Sequence, residues 1–272
     1  AASRRAMDKL PILDPDAIIL DLEDAVAEEK KQEGRDNIRA FFKAGGLPGR
    51  EIVVRVNEAG SRHFAQDMAL VLECEPDAVL LPKVRAQDDI LEAAAFLSEN
   101  DAPDTLRIWA MMETPLAILN AGSIAEAGRT HGGRLDCLVV GLNDLRKDTG
   151  VPFDPARTYL VPWLMQVVLA ARAFGLAAID SVSNEFRELA GYAAECAQGR
   201  AMGFDGKMLI HPAQIAGANR AFGPTAAEIA EAEEIIAAFS APEAAGVNAI
   251  SINGRMVERL HLEQAERLAA LA

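Results

Sequence analysis

The chain is poor in cysteine and has no long apolar segment. Its 272 residues include three cysteines, Cys74, Cys137 and Cys196. Because their number is odd and their spacing wide, they form neither a disulfide framework nor a zinc-binding pattern, and we expect a reducing, cytoplasmic environment. No apolar run approaches the ~20 residues of a membrane span. The apolar stretch of the N-terminal segment AASRRAMDKLPIL is short and charged, so we expect no signal peptide.

Basic charge and several familiar motifs are also scarce. The formal net charge is −14, which disfavours binding to nucleic acid or to an anionic membrane, because both require a basic surface. A negative net charge still allows a locally basic site that binds a small anion. The sequence contains no G-x-G-x-x-G, G-x-x-x-x-G-K-[ST], H-E-x-x-H or G-x-S-x-G pattern. These absences argue against dinucleotide-binding, nucleotide-hydrolysing, zinc-protease and serine-hydrolase functions.

Seven short apolar runs rich in Val, Ile and Leu dominate what is present. They lie at 17–20, 52–54, 78–81, 108–112, 138–140, 176–179 and 208–210. The runs recur at about 30 residues, the length of one strand-plus-helix unit, and the segments between them have helical patterns. Strands that alternate with helices in this way predict a parallel sheet. We therefore predict an α/β fold of the TIM (β/α)8 barrel type.

The predicted domain organisation has a barrel at 1–222 and a C-terminal helical extension at 223–272. The chain shows seven runs where the barrel needs eight, and the helical segment RRAMDKLP precedes the first run. We infer that a first strand is absent from this numbering. The extension contains two helical patterns separated by a turn or short hairpin, with Asn253-Gly254 as the turn signal. We expect the extension to pack on the barrel or on a neighbouring subunit.

Each run leads into polar residues of the kind that perform chemistry. In chain order these are Asp21, Glu23, Asp24, Arg55, Lys83, Glu113, Asn143, Asp144, Asp180 and His211. The carboxyl ends of parallel barrel strands open on one face, and barrel enzymes keep their active sites there. The same pattern therefore predicts both the fold and the location of its site.

The most telling pair is Glu113 and Asp144, which follow consecutive strands. Two carboxylates in that position are able to share one Mg²⁺, whose other ligands are water and substrate oxygens. They are equally suited to capping helices or to pairing with Arg and Lys. Arg55 suits a carboxylate or a developing oxyanion, with a structural salt bridge as the alternative. For His211 we favour a structural hydrogen bond over catalysis.

The residues of DLEDAV leave several roles open. Asp21 and Glu23 share one face of the strand, and Asp24 lies on the other. These side chains are candidates for metal ligands, for groups that hold water near a metal, or, for Asp24 above all, for the cap of the next helix.

Several segments together resemble a known family. DAIILDLEDAVAEEKK, IVVRVN, AVLLPKV, WAMMETPLAILN, VVGLNDL, GKMLIHPAQI and NGRMVERLHLEQA are similar to the citrate lyase β subunit-like group of the HpcH/HpaI aldolase superfamily, which includes malyl-CoA, β-methylmalyl-CoA and citramalyl-CoA lyases. The likeness runs from about Ser3 to the final helix. It implies a TIM barrel that uses Mg²⁺, with Mn²⁺ as a possible substitute, and assembles as a homotrimer or homohexamer. The initial S-x-L-F-V-P-G strand of the group is lacking here.

The resemblance also implies roles for individual residues. Glu113 and Asp144 would hold the metal. Arg55 would bind substrate and stabilise an enolate, and Lys83 would also contact substrate. Asn143 is a further substrate-binding candidate, although GLNDL departs here from the commoner G-x-E-D-L.

Two further roles come from the resemblance alone. Glu23 and Asp24 would order the waters around the metal. Glu258 of GRMVE stands where the group commonly has an Asp that enters a neighbouring subunit's site as acid or base. The longer side chain of Glu258 changes the reach of that carboxylate.

The expected function is Mg²⁺-dependent carbon–carbon cleavage of a 3-hydroxyacyl-CoA of the citramalyl-CoA, malyl-CoA or methylmalyl-CoA type. The products are a small 2-oxo acid and acetyl-CoA or propionyl-CoA, and we expect no nucleic-acid or membrane partner. One alternative is a citrate lyase β subunit acting on a citryl-acyl-carrier protein. The others are a malyl-CoA thioesterase and a non-enzymatic barrel scaffold, against which Glu113, Asp144 and Arg55 argue.

Overall fold

The computed structural model of the chain describes residues 3–244 and 246–270. The chain divides into two compact units, Ala1–Gly217 and Ala218–Ala272. This division falls shortly before the predicted boundary at 222, and that boundary stays a prediction. The ends of the predicted segments at 1–2 and 271–272, and residue 245 in the predicted hairpin segment, lie outside the described residues.

A seven-stranded parallel sheet forms the centre of the first unit. Its strands are β1 (Ala17–Asp21), β2 (Glu51–Arg55), β3 (Ala78–Leu81), β4 (Arg107–Met112), β5 (Leu135–Val140), β6 (Ala177–Asp180) and β7 (Gly206–Lys207). They lie side by side in chain order, and every neighbouring pair is parallel. This order is that of a (β/α) barrel and confirms the predicted fold class. The additional first strand stays a prediction.

Helices precede, separate and follow these strands. They are α1 (Arg4–Met7), α2 (Lys31–Lys43), α3 (Phe64–Cys74), α4 (Gln87–Glu99), α5 (Pro115–Leu119), α6 (Ala121–Glu126), α7 (Leu142–Thr149), α8 (Val161–Ala173), α9 (Leu189–Met202) and α10 (Ile215–Phe222). Short 3₁₀ turns occur at Leu10–Ile12, Glu28–Lys30, Ala127–Arg129, Pro212–Gln214 and Pro242–Ala244. Within the described ranges, no helix combines the length and apolar character that a membrane crossing requires.

The strands are apolar because both faces of the sheet are buried. Alternate residues of β2 to β5 form one cluster made of Val53, Ala78, Leu80, Trp109, Met111, Cys137 and Val139. The intervening residues Val54, Val79, Ala110 and Leu138 are fully buried as well, as expected for a parallel sheet covered on both sides. Cys137 is buried in this core, and its burial raises the pKa of its thiol.

The seventh strand lies earlier than predicted. The structure has β7 at Gly206–Lys207, so the prediction of a strand at 208–210 is wrong. The backbone amides of Ile210 and His211 donate to the side-chain oxygen Oε1 of Gln214, each at 3.1 Å. These bonds direct the chain into the 3₁₀ turn at Pro212–Gln214 and end the strand early.

The second unit has a small core of its own. It contains α11 (Ala226–Ser240), β8 (Ala249–Ile252), β9 (Arg255–Glu258) and α12 (Arg259–Ala269), and β8 and β9 are antiparallel. Asn253 and Gly254 both have positive φ angles, +50° and +78°, as a two-residue type I′ turn requires. This confirms the predicted hairpin. Phe239 and Val257 are buried at the centre of the unit.

Candidate active site

Charged side chains from five consecutive strands meet at the carboxyl ends of those strands. Arg55 ends β2, Lys83 follows β3, Glu113 follows β4, Asp144 lies in the first turn of α7 after β5, and Glu23 follows β1. Together with Asp21, the last residue of β1, they form a group that we call the charged cluster. The strand-end pattern in the sequence located every member of this group, Asp21 included.

Two carboxylates of the charged cluster converge on one cationic group. The Lys83 ammonium nitrogen Nζ lies 2.7 Å from Asp144 Oδ1 and 3.3 Å from Glu113 Oε1. Glu23 Oε1 is 3.8 Å from the same nitrogen. Glu113 and Asp144 are therefore close enough for a single positive charge to bridge them.

The position of Glu113 depends on its backbone neighbours. Its side chain is 1 % exposed, and Oε1 accepts a hydrogen bond from the backbone N–H of Lys83 at 2.9 Å. A Cβ atom at Gly141 would lie 2.5 Å from Glu113 Oε2, so this position requires glycine. Lys83 itself has a φ of +54°, a conformation that non-glycine residues adopt rarely and that clusters at functional sites. Burial raises the pKa of Glu113, although Lys83 opposes the shift.

Arg55 is ionised and held by two carboxylates. Asp21 and Arg55 are register partners on neighbouring strands. Arg55 donates from Nε and Nη2 to the two oxygens of Asp21 at 2.7 and 2.6 Å, and its Nη1 lies 2.8 Å from Glu23 Oε2. Burial disfavours charge, but the hydrogen bonds and charge of Asp21 raise the pKa of Arg55. The structure therefore has the salt bridge that was the alternative for Arg55, and a role in substrate binding stays a prediction.

The two acidic residues of the β1 loop differ in placement. Glu23 is buried, and burial, with repulsion from Glu113 and Asp24, raises the pKa of Glu23 to about 7, while Arg55 opposes the shift. Asp24 is exposed. Asp24 does not cap the next helix, because α2 begins at Lys31 and its N-cap residue is Lys30. The proposed water-ordering role of both residues stays a prediction.

A buried polar network that the sequence analysis missed supports the β1 loop. The ammonium group of Lys31 donates to the carbonyl oxygens of Leu22 and Glu23, both at 2.8 Å, and to Asn57 Oδ1 at 2.7 Å. Asn57 in turn donates to Asp67. In the sequence Lys31 has the pattern of an exposed helix residue. The one sequence feature that pointed to this network was Asn57, a polar residue two positions after Arg55.

The remaining predicted residues lie elsewhere. Asn143 is exposed, and its Oδ1 accepts from Asn184 Nδ2 at 2.8 Å. His211 accepts a hydrogen bond at Nδ1 from the backbone N–H of Ala213 at 3.1 Å, which agrees with a structural role. Glu258 ends β9 in the second unit, where its backbone N–H donates to His261 Nδ1 at 2.9 Å; its catalytic role stays a prediction.

The charge balance of the charged cluster fits a divalent cation. The cluster contains two basic side chains, Arg55 and Lys83, and four acidic ones, so it has two excess negative charges when all four carboxyl groups are ionised. Glu23 Oε2 and Lys83 Nζ are buried without a well-formed hydrogen bond. Within the described part of the chain no three His, Cys, Asp or Glu side chains form a metal site by themselves. Mg²⁺ commonly uses only one or two protein carboxylates, so Glu113 and Asp144 fit this ion.

A separate cavity adjoins the charged cluster without containing it. It has a volume of about 230 Å³, and its walls are mainly apolar, with Phe64 and Phe96 among them. Lys83 contributes to the wall, but Glu113 and Asp144 do not. The chemistry of the charged cluster therefore lies beside this cavity.

Comparison with known proteins places the chain in a family. A family model described as HpcH/HpaI aldolase/citrate lyase matches residues 1–212. The (3S)-malyl-CoA thioesterase of Cereibacter sphaeroides is 42 % identical over 100 % of this chain and 91 % of its own length. The mitochondrial citramalyl-CoA lyase of Homo sapiens is 33 % identical over 98 % of this chain and 82 % of its own.

A solved structure agrees with these relatives. Protein CitE from Mycobacterium tuberculosis, in complex with magnesium, acetoacetate and coenzyme A, is similar with a TM-score of 0.71 and 28 % identity. The similarity covers 94 % of this chain and 90 % of that one. The chain therefore belongs to the HpcH/HpaI aldolase/citrate lyase family of enzymes.

Proposed function

We propose that the protein is a Mg²⁺-dependent carbon–carbon lyase acting on a 3-hydroxyacyl-CoA with a terminal carboxylate, of the malyl-CoA, methylmalyl-CoA or citramalyl-CoA type. The products are a 2-oxo acid and acetyl-CoA or propionyl-CoA. The observation that carries the proposal is the convergence of Glu113 and Asp144 on one cation position beside Arg55. The names of the relatives and the ligands of the M. tuberculosis structure support it.

The residues divide the chemistry between them. Glu113 and Asp144 would hold the metal, which when bound would lower the pKa of the substrate hydroxyl. The hydroxyl proton passes to water, the hydroxyl-bearing carbon becomes a carbonyl, and the electrons of the broken carbon–carbon bond pass into the thioester as an enolate. Arg55 carries a permanent positive charge and stabilises the enolate oxygen. Lys83 and Asn143 contact the substrate, and Glu23 and Asp24 order nearby water.

The enolate carbon then needs a proton, and we assign this step to Glu258 of a neighbouring subunit in a homotrimer or homohexamer. Two inactive variants, Glu258→Ala and Glu113→Gln, test the assignment when they are mixed and reassembled. Partial recovery of activity is expected if the site is shared between chains. No recovery despite confirmed subunit exchange would contradict the assignment, and so would full activity of Glu258→Ala alone.

A thioesterase is the second candidate, favoured by the 42 % identity with the Cereibacter sphaeroides relative. Here water attacks the thioester carbonyl, and Arg55 stabilises the resulting oxyanion. The two reactions release different products. A lyase forms a 2-oxo acid and keeps the thiol esterified, whereas a thioesterase releases free CoA thiol and no 2-oxo acid.

The test is to incubate purified protein and Mg²⁺ with malyl-CoA, methylmalyl-CoA and citramalyl-CoA. The 2-oxo acid is followed as its phenylhydrazone, and the thiol by a disulfide reagent. We expect 2-oxo acid from at least one substrate and its loss in EDTA or in Glu113→Gln. Thiol release alone would favour the thioesterase, and unchanged formation of 2-oxo acid in EDTA would contradict the Mg²⁺-dependent lyase.

A further inference from the structure

The start of helix α7 carries one of the proposed metal ligands, Asp144, and is fixed from outside the helix. The first backbone amides of a helix have no partner within it. The first of these in α7, the N–H of Leu142, is in a buried residue and donates to Ser181 Oγ at 3.0 Å. Ser181 follows β6 directly, so this bond joins the end of β6 to the helix that follows β5.

Ser181 is itself held at each of its polar groups. It is 0 % exposed. Its backbone N–H donates to Asp180 Oδ1 at 2.8 Å, and its carbonyl oxygen accepts from Lys207 Nζ at 2.6 Å. Hydrogen bonds at the amide, the carbonyl and the hydroxyl hold Ser181 at three points, so it provides a well-positioned acceptor for α7.

The partners of Ser181 belong to a network of four charged side chains, three of which are buried. Arg157 donates to both oxygens of Asp180 at 2.8 Å, and Lys207 lies 3.1 Å from Asp180 and 2.6 Å from Glu195. We call Arg157, Asp180, Glu195 and Lys207 the β6–β7 ion network. None of these four residues belongs to the charged cluster. The network is connected to α7 through Ser181, which accepts hydrogen bonds from Lys207 and from Leu142.

A second bond anchors the next residue of α7. Asn184 Nδ2 donates to Asn143 Oδ1 at 2.8 Å. The segment 181–184 thus holds the first two residues of the helix, and Asp144 is the third. A shift of the helix start would move the Asp144 carboxylate relative to Glu113, which is fixed separately by its bond to Lys83.

We propose that Ser181 is a positioning residue of the metal site, fixing the start of α7 so that Asp144 and Glu113 meet at one cation. The inference rests on the proposed function, because it takes these two carboxylates as the metal ligands. Removal of a group that orients a metal ligand without contacting the metal typically lowers metal affinity by about 10–100-fold. The competing interpretation is that Ser181 only satisfies a buried amide, which would affect stability alone.

The test is Mn²⁺ binding to the full chain, measured by electron paramagnetic resonance without substrate. The variant Ser181→Ala is compared with Thr149→Ala, which removes a hydroxyl that donates to Leu145 O at the other end of the same helix. We expect Ser181→Ala to bind Mn²⁺ about 10–100-fold more weakly and to show an altered line shape of the bound ion. Thr149→Ala should match wild type, even where urea unfolding shows both variants to be destabilised.

Equal Mn²⁺ affinity of folded Ser181→Ala and wild type would overturn the inference. If Ser181→Ala does not fold, Ser181→Cys decides, because it keeps the size of the side chain but offers a poor acceptor; it should bind Mn²⁺ more weakly than wild type, and equal binding would again overturn the inference. Wild type and Glu113→Gln separate this result from the proposed function. Absence of Mn²⁺ binding by wild type, or full binding by Glu113→Gln, would contradict the metal site itself.

Discussion

The sheet of the first unit carries two groups of charged side chains at its strand ends, and they differ in charge balance. The β6–β7 ion network has two basic and two acidic side chains with every charge paired, and Arg157, Asp180 and Lys207 are buried. The charged cluster has two basic and four acidic side chains, and some of its buried atoms have no well-formed hydrogen bond. Charged side chains at strand ends therefore occur both in a charge-balanced network and in a cluster with excess negative charge, and we propose that only the cluster binds a metal ion.

The largest expected effect on stability comes from removing one carboxylate of the β6–β7 ion network. Asp180→Asn leaves Arg157 and Lys207 buried without their shared carboxylate, and removing one partner of a buried ion pair costs about 3–5 kcal/mol. Urea unfolding should show this loss of stability. A change below about 1 kcal/mol would mean that the network is not the stabilising element that its burial indicates.

In the charged cluster, removal of one carboxylate should reduce activity strongly and stability little. Glu113→Gln removes a charge from a cluster with excess negative charge and keeps an oxygen for the Lys83 amide. We expect stability within about 1 kcal/mol of wild type and a loss of Mg²⁺-dependent activity of at least about 100-fold, equivalent to about 2.7 kcal/mol. Activity assays and urea unfolding on the same preparation check both. A variant that unfolds yet retains activity per folded molecule would reverse the assignment.

Asp21 sharpens the comparison through its pH dependence. Burial opposes ionisation, but the hydrogen bond and charge of Arg55 lower the pKa of Asp21. A lowered folded-state pKa means that the stabilisation is fully present above the unfolded value of about 3.9 and is lost as pH falls through the folded value. Asp21→Asn should cost about 1.5–3 kcal/mol at pH 7. Its unfolding free energy should also fall less steeply below about pH 4; an unchanged acid slope would contradict this.

Removing an exposed ion pair should have the smallest effect on the free energy of unfolding, and it serves as the reference for the other variants. Arg39 of α2 lies 2.8 Å from Asp36 and from Glu73, with all three side chains partly or largely exposed. Such pairs contribute about 0–1 kcal/mol, so Arg39→Gln should leave urea unfolding nearly unchanged. A larger loss would show that proximity of charges, rather than burial and balance, determines stability in this chain.

The sequence predicted what depends on local pattern. Strand positions follow from short apolar runs, and the polar residue after each run locates Arg55, Lys83, Glu113 and Asp144. The runs did not separate the two charged groups, because Asp180 also follows an apolar run. Asp180 differs from the residues of the charged cluster because Arg157 pairs with it. Arg157 lies in an irregular loop and has a φ of +54°, and no local sequence pattern indicates that its side chain is buried.

Other parts of the site depend on tertiary contacts that spacing does not reveal. Lys31 lies in a charged segment typical of a helix surface, yet its ammonium group is buried against the β1 loop. Gly141 looks like an ordinary loop glycine, and its need for glycine arises from the approach of Glu113. The early end of β7 depends on Gln214, which bonds back to amides before it in the chain.

The most direct test of the central claim is a crystal structure of the protein grown with Mn²⁺, with anomalous scattering recorded to locate the ion. We expect one strong peak per chain in the charged cluster, within ligand distance of both Glu113 and Asp144, and loss of that peak in Glu113→Gln. A peak elsewhere, or no peak at saturating Mn²⁺ with Lys83 still between the two carboxylates, would contradict the claim.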